Sequence, residues 1–304
     1  MSVNVKKLIR HRLKYKSLPN NREDKFHLAL VIEAGGIRAS SVGGMAQALS
    51  KVDFVFDSVH GSSAGACVAS YFATKQTDIG ESIFVDHLPQ KSIMSLKKVF
   101  EVPSIVDVDT IVDKIMRDDA PLDVSDIFNK QPYLNIVATN RATGKPETIK
   151  TFKNEEEIFN ALRASLRVPG PFEKGVAINE NYYLDGGYSS PVSIKSTEDI
   201  GATHILILYA QRPQDYSYIA LVKSIPEFFF MLAFHGLNFA IGYIKGMLSY
   251  TKAYNQDKSK LRKVDKIVRS KNGVRCGLIT TNKNKIKRSW NEGVEAAECF
   301  LDNL

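Results

Sequence analysis

The sequence has few cysteines and a single tryptophan among its 304 residues. The cysteines do not form an even-numbered set, and no two of them have the CxxC spacing; they are Cys67, Cys276 and Cys299. A small secreted domain stabilised by disulfides is therefore excluded. The three residues fit a reducing compartment or a use as small core side chains, and we expect a cytoplasmic protein.

The N-terminus lacks the apolar core and the A-x-A-like cleavage site of a secretory signal. It also lacks acids before Glu23, and basic residues are frequent there, among them Lys6, Lys7, Arg10, Arg12, Lys14 and Lys16. Such a composition leaves a mitochondrial-type targeting peptide open. We expect residues 1–25 to form a basic tail, with one helical face made by Val5, Leu8, Ile9 and Leu13.

The net charge of +8 comes largely from this tail and from a second basic region at residues 258–288. Basic clusters favour an anionic membrane surface or a nucleic acid, although each cluster alone is also typical of ordinary solvated surface. The basic residues are not interleaved with aromatic residues in a recognisable motif, so we expect no nucleic acid partner.

The sequence also lacks an uninterrupted apolar run long enough to indicate a membrane span. Its most apolar segment, residues 225–248, is interrupted by Glu227, His235, Asn238 and Lys245. This pattern favours a pair of core or lid helices over a span. Contact with a membrane interface stays open, and we expect a cytoplasmic protein that can also bind peripherally to membranes.

Two strand–turn–helix units follow each other near the N-terminus. The apolar run Leu28–Ile32 leads into a glycine loop at residues 34–39, and a second apolar run at residues 54–60 leads into a turn of small residues. Continuous apolar strands joined by helices predict parallel pairing in an α/β fold. Further strands are expected at residues 133–139, 147–152, 204–209 and 277–280, and helices at residues 45–50, 155–166 and 290–301.

Several acids lie close together in a helical region, namely Asp107, Asp109, Asp113, Asp118 and Asp119. No D-x-D-x-D-G loop is present, so solvated helix faces are expected there. We expect neither a metal nor a cofactor.

The turn of small residues, Gly61-Ser62-Ser63-Ala64-Gly65, is a G-x-S-x-G. A serine on a sharp strand-to-helix turn has an exposed hydroxyl, and small neighbours allow the strand and helix to approach each other. The following helix directs N–H groups to a place where negative charge develops in acyl transfer. Ser63 is therefore a candidate nucleophile.

Three motifs occur in order: the Gly35-Gly36 loop, the G-x-S-x-G, and Asp185-Gly186-Gly187. This arrangement resembles the patatin-like phospholipases over roughly residues 27–210. Residues 162–170 and 183–192 also look like that family. The C-terminal part is similar, less specifically, to its bacterial-type branch with an appended segment.

The resemblance implies a three-layer α/β/α fold with a mostly parallel central sheet. It implies a catalytic domain at residues 26–215 and a mostly helical segment at residues 216–304 packed on it. It also implies a lipid acyl hydrolase of phospholipase A type, a serine esterase whose substrate is a phospholipid or another acyl ester.

The same resemblance implies the roles of individual residues. Ser63 would be the nucleophile and Asp185 the proton acceptor of a catalytic dyad. Backbone N–H groups would hold the oxyanion, with Arg38 in support, and they belong to Gly35, Gly36 and Ala64. The remaining motif positions are Gly61, Gly65, Gly186 and Gly187.

Two features leave alternatives open. Ala34 and Ala39 stand where the family loop usually has glycine, and alanine there would be strained if φ is positive. A decayed loop would make the protein a weakly active or inactive membrane-associated scaffold. The order Ser63, Asp185, then His204 or His235 also allows a Ser-His-Asp α/β-hydrolase.

Overall fold

The computed structural model describes residues 3–19, 21–90, 93, 106–128, 131–211, 225–255, 264–270 and 272–304. The strands are β1 (Leu28–Ile32), β2 (Ser58–Ser62), β3 (Tyr133–Asn140), β4 (Pro146–Ile149), β5 (Val176–Ile178), β6 (Asn181–Asp185), β7 (His204–Tyr209) and β8 (Val264–Val268). The α-helices are α1 (Val5–Lys14), α2 (Ser40–Leu49), α3 (Ala64–Ala73), α4 (Thr77–Ser82), α5 (Glu155–Leu166), α6 (Ile194–Asp199), α7 (Ile225–His235), α8 (Leu237–Asn255) and α9 (Lys283–Asp302).

Among the described residues, all eight strands form one sheet in the order β5-β6-β3-β2-β1-β7-β8, with β4 paired to β3. Strands β3, β2, β1, β7 and β8 run parallel, and β4, β5 and β6 add antiparallel pairs at the β3 side. The carboxyl ends of β1, β2 and β7 therefore meet at one edge of the sheet, where ligands of open parallel sheets usually bind.

Helices cover both faces of the sheet. Leu28, Leu30 and Ile32 face the larger core, which also contains side chains of α1, α2, α3, α5 and α9. Val31 faces the opposite side of the sheet, where it packs with Tyr209 of β7 and Tyr250 of α8. This alternation explains why the strands are apolar throughout, since each residue is buried by one helical layer or the other. The expected three-layer fold with a mostly parallel sheet is confirmed.

The N-terminal segment contains a packed helix. Asn4 caps α1 by accepting the Lys7 N–H, and the side chains of Val5, Leu8 and Ile9 are buried as their spacing predicts. Arg12 is also fully buried. The burial of Arg12 could not be predicted from the sequence, because the acids that pair with it, Asp24 and Asp57, are distant along the chain.

The C-terminal segment adds a strand to the sheet, and one sequence prediction there was wrong. Residues 277–280, expected as a strand, form turns, whereas β8 at Val264–Val268 pairs parallel to β7. Helix α9 packs against α2, where the Trp290 ring lies over Gly43 and its indole N–H donates to Gln47 Oε1 at 2.8 Å. The predicted boundary near residue 215 lies outside the described residues.

The apolar segment after residue 225 forms two helices, α7 and α8, joined at Gly236. This confirms the predicted helix pair. Helix α8 buries Phe239, Ala240 and Tyr243 against the body of the protein. None of the helices in the described part of the chain has the length and apolar character needed to cross a bilayer.

Candidate active site

Ser63 lies at the turn between β2 and α3. Its backbone has φ 54° and ψ −136°, a strained conformation for a residue with a side chain. The flanking glycines are required by close contacts. A Cβ at Gly61 would lie 2.2 Å from the carbonyl oxygen of Gly65, and one at Gly65 would lie 2.6 Å from that of Ile32. The geometry is that of a nucleophile elbow.

Asp185 ends β6 and contacts Ser63 directly. The register pairs Ser62 with Val137 and Asp185 with the next residue of β3, Ala138, so the two motifs reach the same level of the sheet. The Ser63 hydroxyl donates to Asp185 Oδ2 at 2.6 Å, and the Gly187 N–H donates to Asp185 Oδ1 at 2.7 Å. Gly186 begins the short 3₁₀ turn that brings Gly187 into place.

The Asp185 carboxyl is buried, and this burial raises its pKa to about 6 although the two hydrogen bonds oppose the shift. Within the described residues, no cation forms an ion pair with this carboxylate. Loss of hydration disfavours its charged form, because neutral donors replace water only in part. The result is a carboxylate with a raised affinity for a proton, in hydrogen-bond contact with a serine hydroxyl.

Ser165 in α5 is a site residue to which sequence reasoning assigned no role. Its hydroxyl accepts the Ser63 N–H at 2.9 Å and donates to the Val137 carbonyl oxygen at 2.7 Å. The bridge fixes the strained Ser63 backbone to β3 and leaves the N–H of Ala64 as the next donor in the turn. In the sequence, Ser165 lies in the stretch at residues 162–170 that looks like the family, and this could have drawn attention to it. Its position next to Ser63 follows only from the fold.

The glycine loop follows β1. Gly36 has φ +53°, and a Cβ there would lie 2.6 Å from the carbonyl oxygen of Leu278, which accepts the Ile37 N–H at 2.9 Å. Ala34 is not among the residues with positive φ, and Ala39 has φ −65°. Alanine therefore causes no backbone strain at these positions, and the position that needs glycine has kept it.

Three backbone N–H groups near Ser63 donate to no acceptor in the described part of the chain; they belong to Gly35, Gly36 and Ala64. Most buried amides in proteins are paired, so N–H groups without an acceptor beside a serine hydroxyl indicate an anion site. Arg38 forms no ion pair with a described acid, and its Nε lies 3.5 Å from the Gly35 carbonyl oxygen, where it supports the loop.

The histidines lie away from this pair. His204 begins β7 at the opposite edge of the sheet, where Nε2 donates to the Val3 carbonyl oxygen at 2.9 Å. His235 ends α7 and donates from Nε2 to the Gly170 carbonyl oxygen at 2.9 Å. His60 is buried within β2 and hydrogen-bonds to Ser58, and burial lowers its pKa to about 3. None of the three hydrogen-bonds to Ser63 or Asp185 among the described residues.

An apolar cavity of about 50 Å³ opens beside Ser63. Gly36 and Ala64 also line this cavity. Two of the three residues with unpaired N–H groups therefore lie around the same space as Ser63. The rest of its wall is formed by Cys67, Ile83, Phe84, Leu88, Val106, Ile111, Leu166 and Val168. Such a wall fits a hydrocarbon chain and offers few polar partners to a polar substrate.

Two of the acids considered as a metal site, Asp109 and Asp113, form ion pairs with arginines. Asp109 accepts from Arg167 at 2.5 Å and lies 3.2 Å from Arg163, which also contacts Asp113. These pairs link the π-helical segment Thr110–Asp119 to α5, beside the cavity wall. Within the described residues, no group of three or more potential ligands could hold a metal ion.

The chain is similar to a known family and to several known proteins. The family model described as patatin-like phospholipase matches residues 30–197, more than half of the chain. The uncharacterized protein YjjU of Escherichia coli (strain K12) is 24% identical over 193 residues, which cover 62% of this chain and 53% of YjjU. The match therefore spans about half the length of that relative.

Two solved structures also share similarity. VipD from Legionella pneumophila aligns with a TM-score of 0.45 and 14% identity over 91% of this chain and 67% of VipD. Full-length ExoU, solved in complex with SpcU from Pseudomonas aeruginosa, aligns with a TM-score of 0.28 and 13% identity over 77% of this chain and 53% of that one. The family match, which covers the elbow, the glycine loop and Asp185 together, shows that the chain belongs to the patatin-like phospholipase family.

Proposed function

We propose that the protein is a lipid acyl hydrolase that cleaves fatty-acyl esters with a Ser63–Asp185 dyad. The observation that carries the proposal is the 2.6 Å hydrogen bond from the Ser63 hydroxyl to a buried carboxylate, on a strained turn next to unpaired backbone N–H groups. Family membership supports ester hydrolysis in general, and the site geometry supports these particular residues.

In the proposed first half-reaction, Asp185 accepts the hydroxyl proton while Ser63 Oγ attacks the ester carbonyl carbon. The carbonyl oxygen becomes an oxyanion and accepts hydrogen bonds from the N–H groups of Gly36 and Ala64, together with that of Gly35. The carbon–oxygen bond to the alcohol then breaks, and Asp185 returns its proton to the leaving oxygen. The product that departs is an alcohol, which for a phospholipid is the lysophospholipid.

In the second half-reaction, water attacks the Ser63 acyl ester and Asp185 takes a proton from it. A second oxyanion forms at the same N–H groups and collapses, which expels Ser63 Oγ. The proton on Asp185 returns to the serine, and a free fatty acid remains. A raised pKa suits both directions of transfer, since the carboxylate can accept and then release a proton near neutral pH.

The apolar cavity supports a long acyl chain as the group that is cleaved. The proposed substrates are phospholipids and other fatty-acyl esters. Since such lipids reside in membranes, the enzyme would meet them at a membrane surface.

A fluorophosphonate probe and a lipid extract test this proposal. We expect the probe to label the wild-type protein and not Ser63→Ala. Ser62→Ala is the matched control, because Ser62 donates to the Ser190 carbonyl oxygen and should keep labelling. Mass spectrometry of a mixed lipid extract should show free fatty acid with wild type and none with Ser63→Ala.

The histidine alternative is tested in the same assay. We expect His204→Ala and His235→Ala to retain hydrolysis while Asp185→Asn loses it. The opposite pattern would replace the dyad by a triad. A folded wild-type protein that neither labels nor hydrolyses any lipid would instead favour the scaffold.

A further inference from the structure

An exposed apolar surface lies on the helix pair α7–α8. Its largest side chains are Phe172 (81% exposed), Phe229 (60%), Phe234 (41%), Leu237 (58%) and Ile241 (38%). We call these five residues the outer face. Helix α7 is apolar on nearly all sides, and Met231 is its only buried side chain. Contiguous exposed aromatic and aliphatic groups of this kind mark an interaction surface.

The outer face is connected to the candidate active site on two sides. Phe172 packs edge-to-face against Phe234 and lies four residues after Val168, which lines the cavity beside Ser63. His235 fixes the same loop through its hydrogen bond to Gly170. On the other side, Tyr188 follows Gly187 and packs against Phe239 and Tyr243 of α8.

Basic side chains border the outer face. The turn at Gly144 packs against α8 so closely that a Cβ at Gly144 would lie 2.1 Å from the Asn238 carbonyl oxygen. A Cβ at Gly242 would likewise lie 1.9 Å from the Gly144 carbonyl oxygen, so the exposed Lys145, which follows Gly144, belongs to a turn that packs on α8. Arg141 is near enough to His235 for its charge to help lower the pKa of that ring, after the larger effect of burial. Neither basic residue forms an ion pair with any acid in the described ranges.

We propose that the outer face docks on the surface of an anionic phospholipid bilayer. The phenylalanines would enter the boundary between headgroups and acyl chains, and Arg141 and Lys145 would contact lipid phosphates. The exposed side chains of α7 and α8 lie near basic groups, and this combination of apolar and cationic groups suits an anionic lipid surface. Docking in this orientation brings the loop that borders the Ser63 cavity to the lipid.

This inference rests on the proposed function for its purpose, but the binding can be measured without catalysis. The test uses full-length Ser63→Ala protein and sedimentation with vesicles of phosphatidylcholine and phosphatidylserine in a two-to-one ratio. Serine replacements of Phe172, Phe229 and Phe234 should each weaken binding about tenfold, since each removes a large exposed apolar side chain that would leave water when the protein docks on lipid. Tyr133→Ser is the matched control, because Tyr133 is 42% exposed at the opposite edge of the sheet and should leave binding unchanged.

Substitution of the two basic residues tests the electrostatic part of vesicle binding separately. Arg141→Gln combined with Lys145→Gln should weaken binding to the anionic vesicles about 30-fold and leave the weak binding to pure phosphatidylcholine unchanged. All these substitutions, made in the protein with Ser63 intact, should preserve hydrolysis of a short water-soluble ester.

Three results would overturn the proposal. They are no vesicle binding by the Ser63→Ala protein, vesicle binding that persists when Phe172, Phe229 and Phe234 are all replaced by serine, and a dimer of the Ser63→Ala protein that these three replacements dissociate. The last result would assign the outer face to a second copy of the chain. Failure of the proposed function would appear as a folded wild-type protein that binds vesicles but does not hydrolyse the soluble ester, so the two proposals fail independently.

Discussion

The two edges of the parallel sheet each bury charged groups, but they do so in opposite ways. At the amino edge, Arg12 is fully buried and donates to Asp24, Asp57 and the carbonyl oxygens of Val55 and Phe26. At the carboxyl edge, the Asp185 carboxylate is also buried, but among the described residues it accepts hydrogen bonds only from the Ser63 hydroxyl and the Gly187 N–H.

The pKa values of Asp24 and Asp185 reflect this difference in hydrogen-bond and charge partners. Burial disfavours the charged form of Asp24, but the hydrogen bonds and charge of Arg12 outweigh it and lower the pKa of Asp24. No cation compensates Asp185, so burial raises its pKa to about 6. A buried charge with every partner in place stabilises one structure, whereas a buried carboxylate with neutral donors stays ready to take a proton.

Replacing Asp185 should have the largest effect on activity. Asp185→Asn keeps the size of the side chain and an acceptor for Gly187, but it cannot accept the Ser63 proton. We expect kcat/KM on a soluble ester to fall about 10⁴-fold. The free energy of unfolding should rise by about 1–3 kcal/mol at about pH 8, because a desolvated charge is removed. A variant that is inactive because it is unfolded would contradict the comparison.

Replacing Arg12 should have the opposite signature. Arg12→Met removes the cation that pairs with the half-buried Asp24 and one of the two cations that pair with the buried Asp57, and we expect the free energy of unfolding to fall by about 3–5 kcal/mol. Urea denaturation measures this loss. Arg10→Met is the control, since Arg10 is exposed on the same helix and should change stability by less than about 0.5 kcal/mol.

The catalytic activity of the Arg12→Met protein that remains folded should differ from that of Asp185→Asn. Because Arg12 lies at the edge of the sheet opposite Ser63, folded Arg12→Met at low temperature should hydrolyse a soluble ester at the wild-type rate. A large fall in kcat with little loss of stability would mean that the two edges are coupled.

The sequence could predict most of the carboxyl edge because its elements are marked by short-range patterns. Leu28–Ile32 and His204–Tyr209 are continuous apolar runs, and the elbow at Gly61–Gly65 has a spacing dictated by close backbone contacts. Asp185 could be selected only through the family resemblance, since nothing local distinguishes it from other acids near a glycine.

The remainder depends on contacts between distant residues. Arg12 was predicted in a basic tail because its partners at positions 24 and 57 cannot be inferred from its neighbours. Ser165 reaches Ser63 only after α5 packs beside the elbow. Strand β8 contains Asp265 and Lys266 and was missed, because an edge strand needs less apolar character than a central one.

Substitutions in the glycine loop test the carboxyl edge of the sheet at single backbone positions. In Gly36→Ala, a Cβ would meet the Leu278 carbonyl oxygen at 2.6 Å in a backbone conformation that disfavours alanine, so the loop must shift. Losing one oxyanion donor should lower kcat/KM by about 10²–10³-fold. Ala34→Gly restores the usual family residue at a position without positive φ, and it should change the rate by less than about threefold. A large gain from Ala34→Gly would instead favour a decayed loop.

The smallest expected effect is the pH dependence, which reports the Asp185 proton directly. In the proposed mechanism the active form of Asp185 is the carboxylate, and burial raises the pKa of this group to about 6. We therefore expect kcat/KM on a soluble ester to be constant above this value and to fall about tenfold per pH unit below it.

Stability should change in the other direction, since ionising a buried carboxyl whose pKa is raised costs folding free energy. The contribution of Asp185 to stability is thus greatest in acid, below its ordinary pKa of 3.8, and declines as pH rises towards about 6. Asp185→Asn should remove this decline, whereas a profile that follows an imidazole and disappears in His235→Ala would assign the proton to histidine.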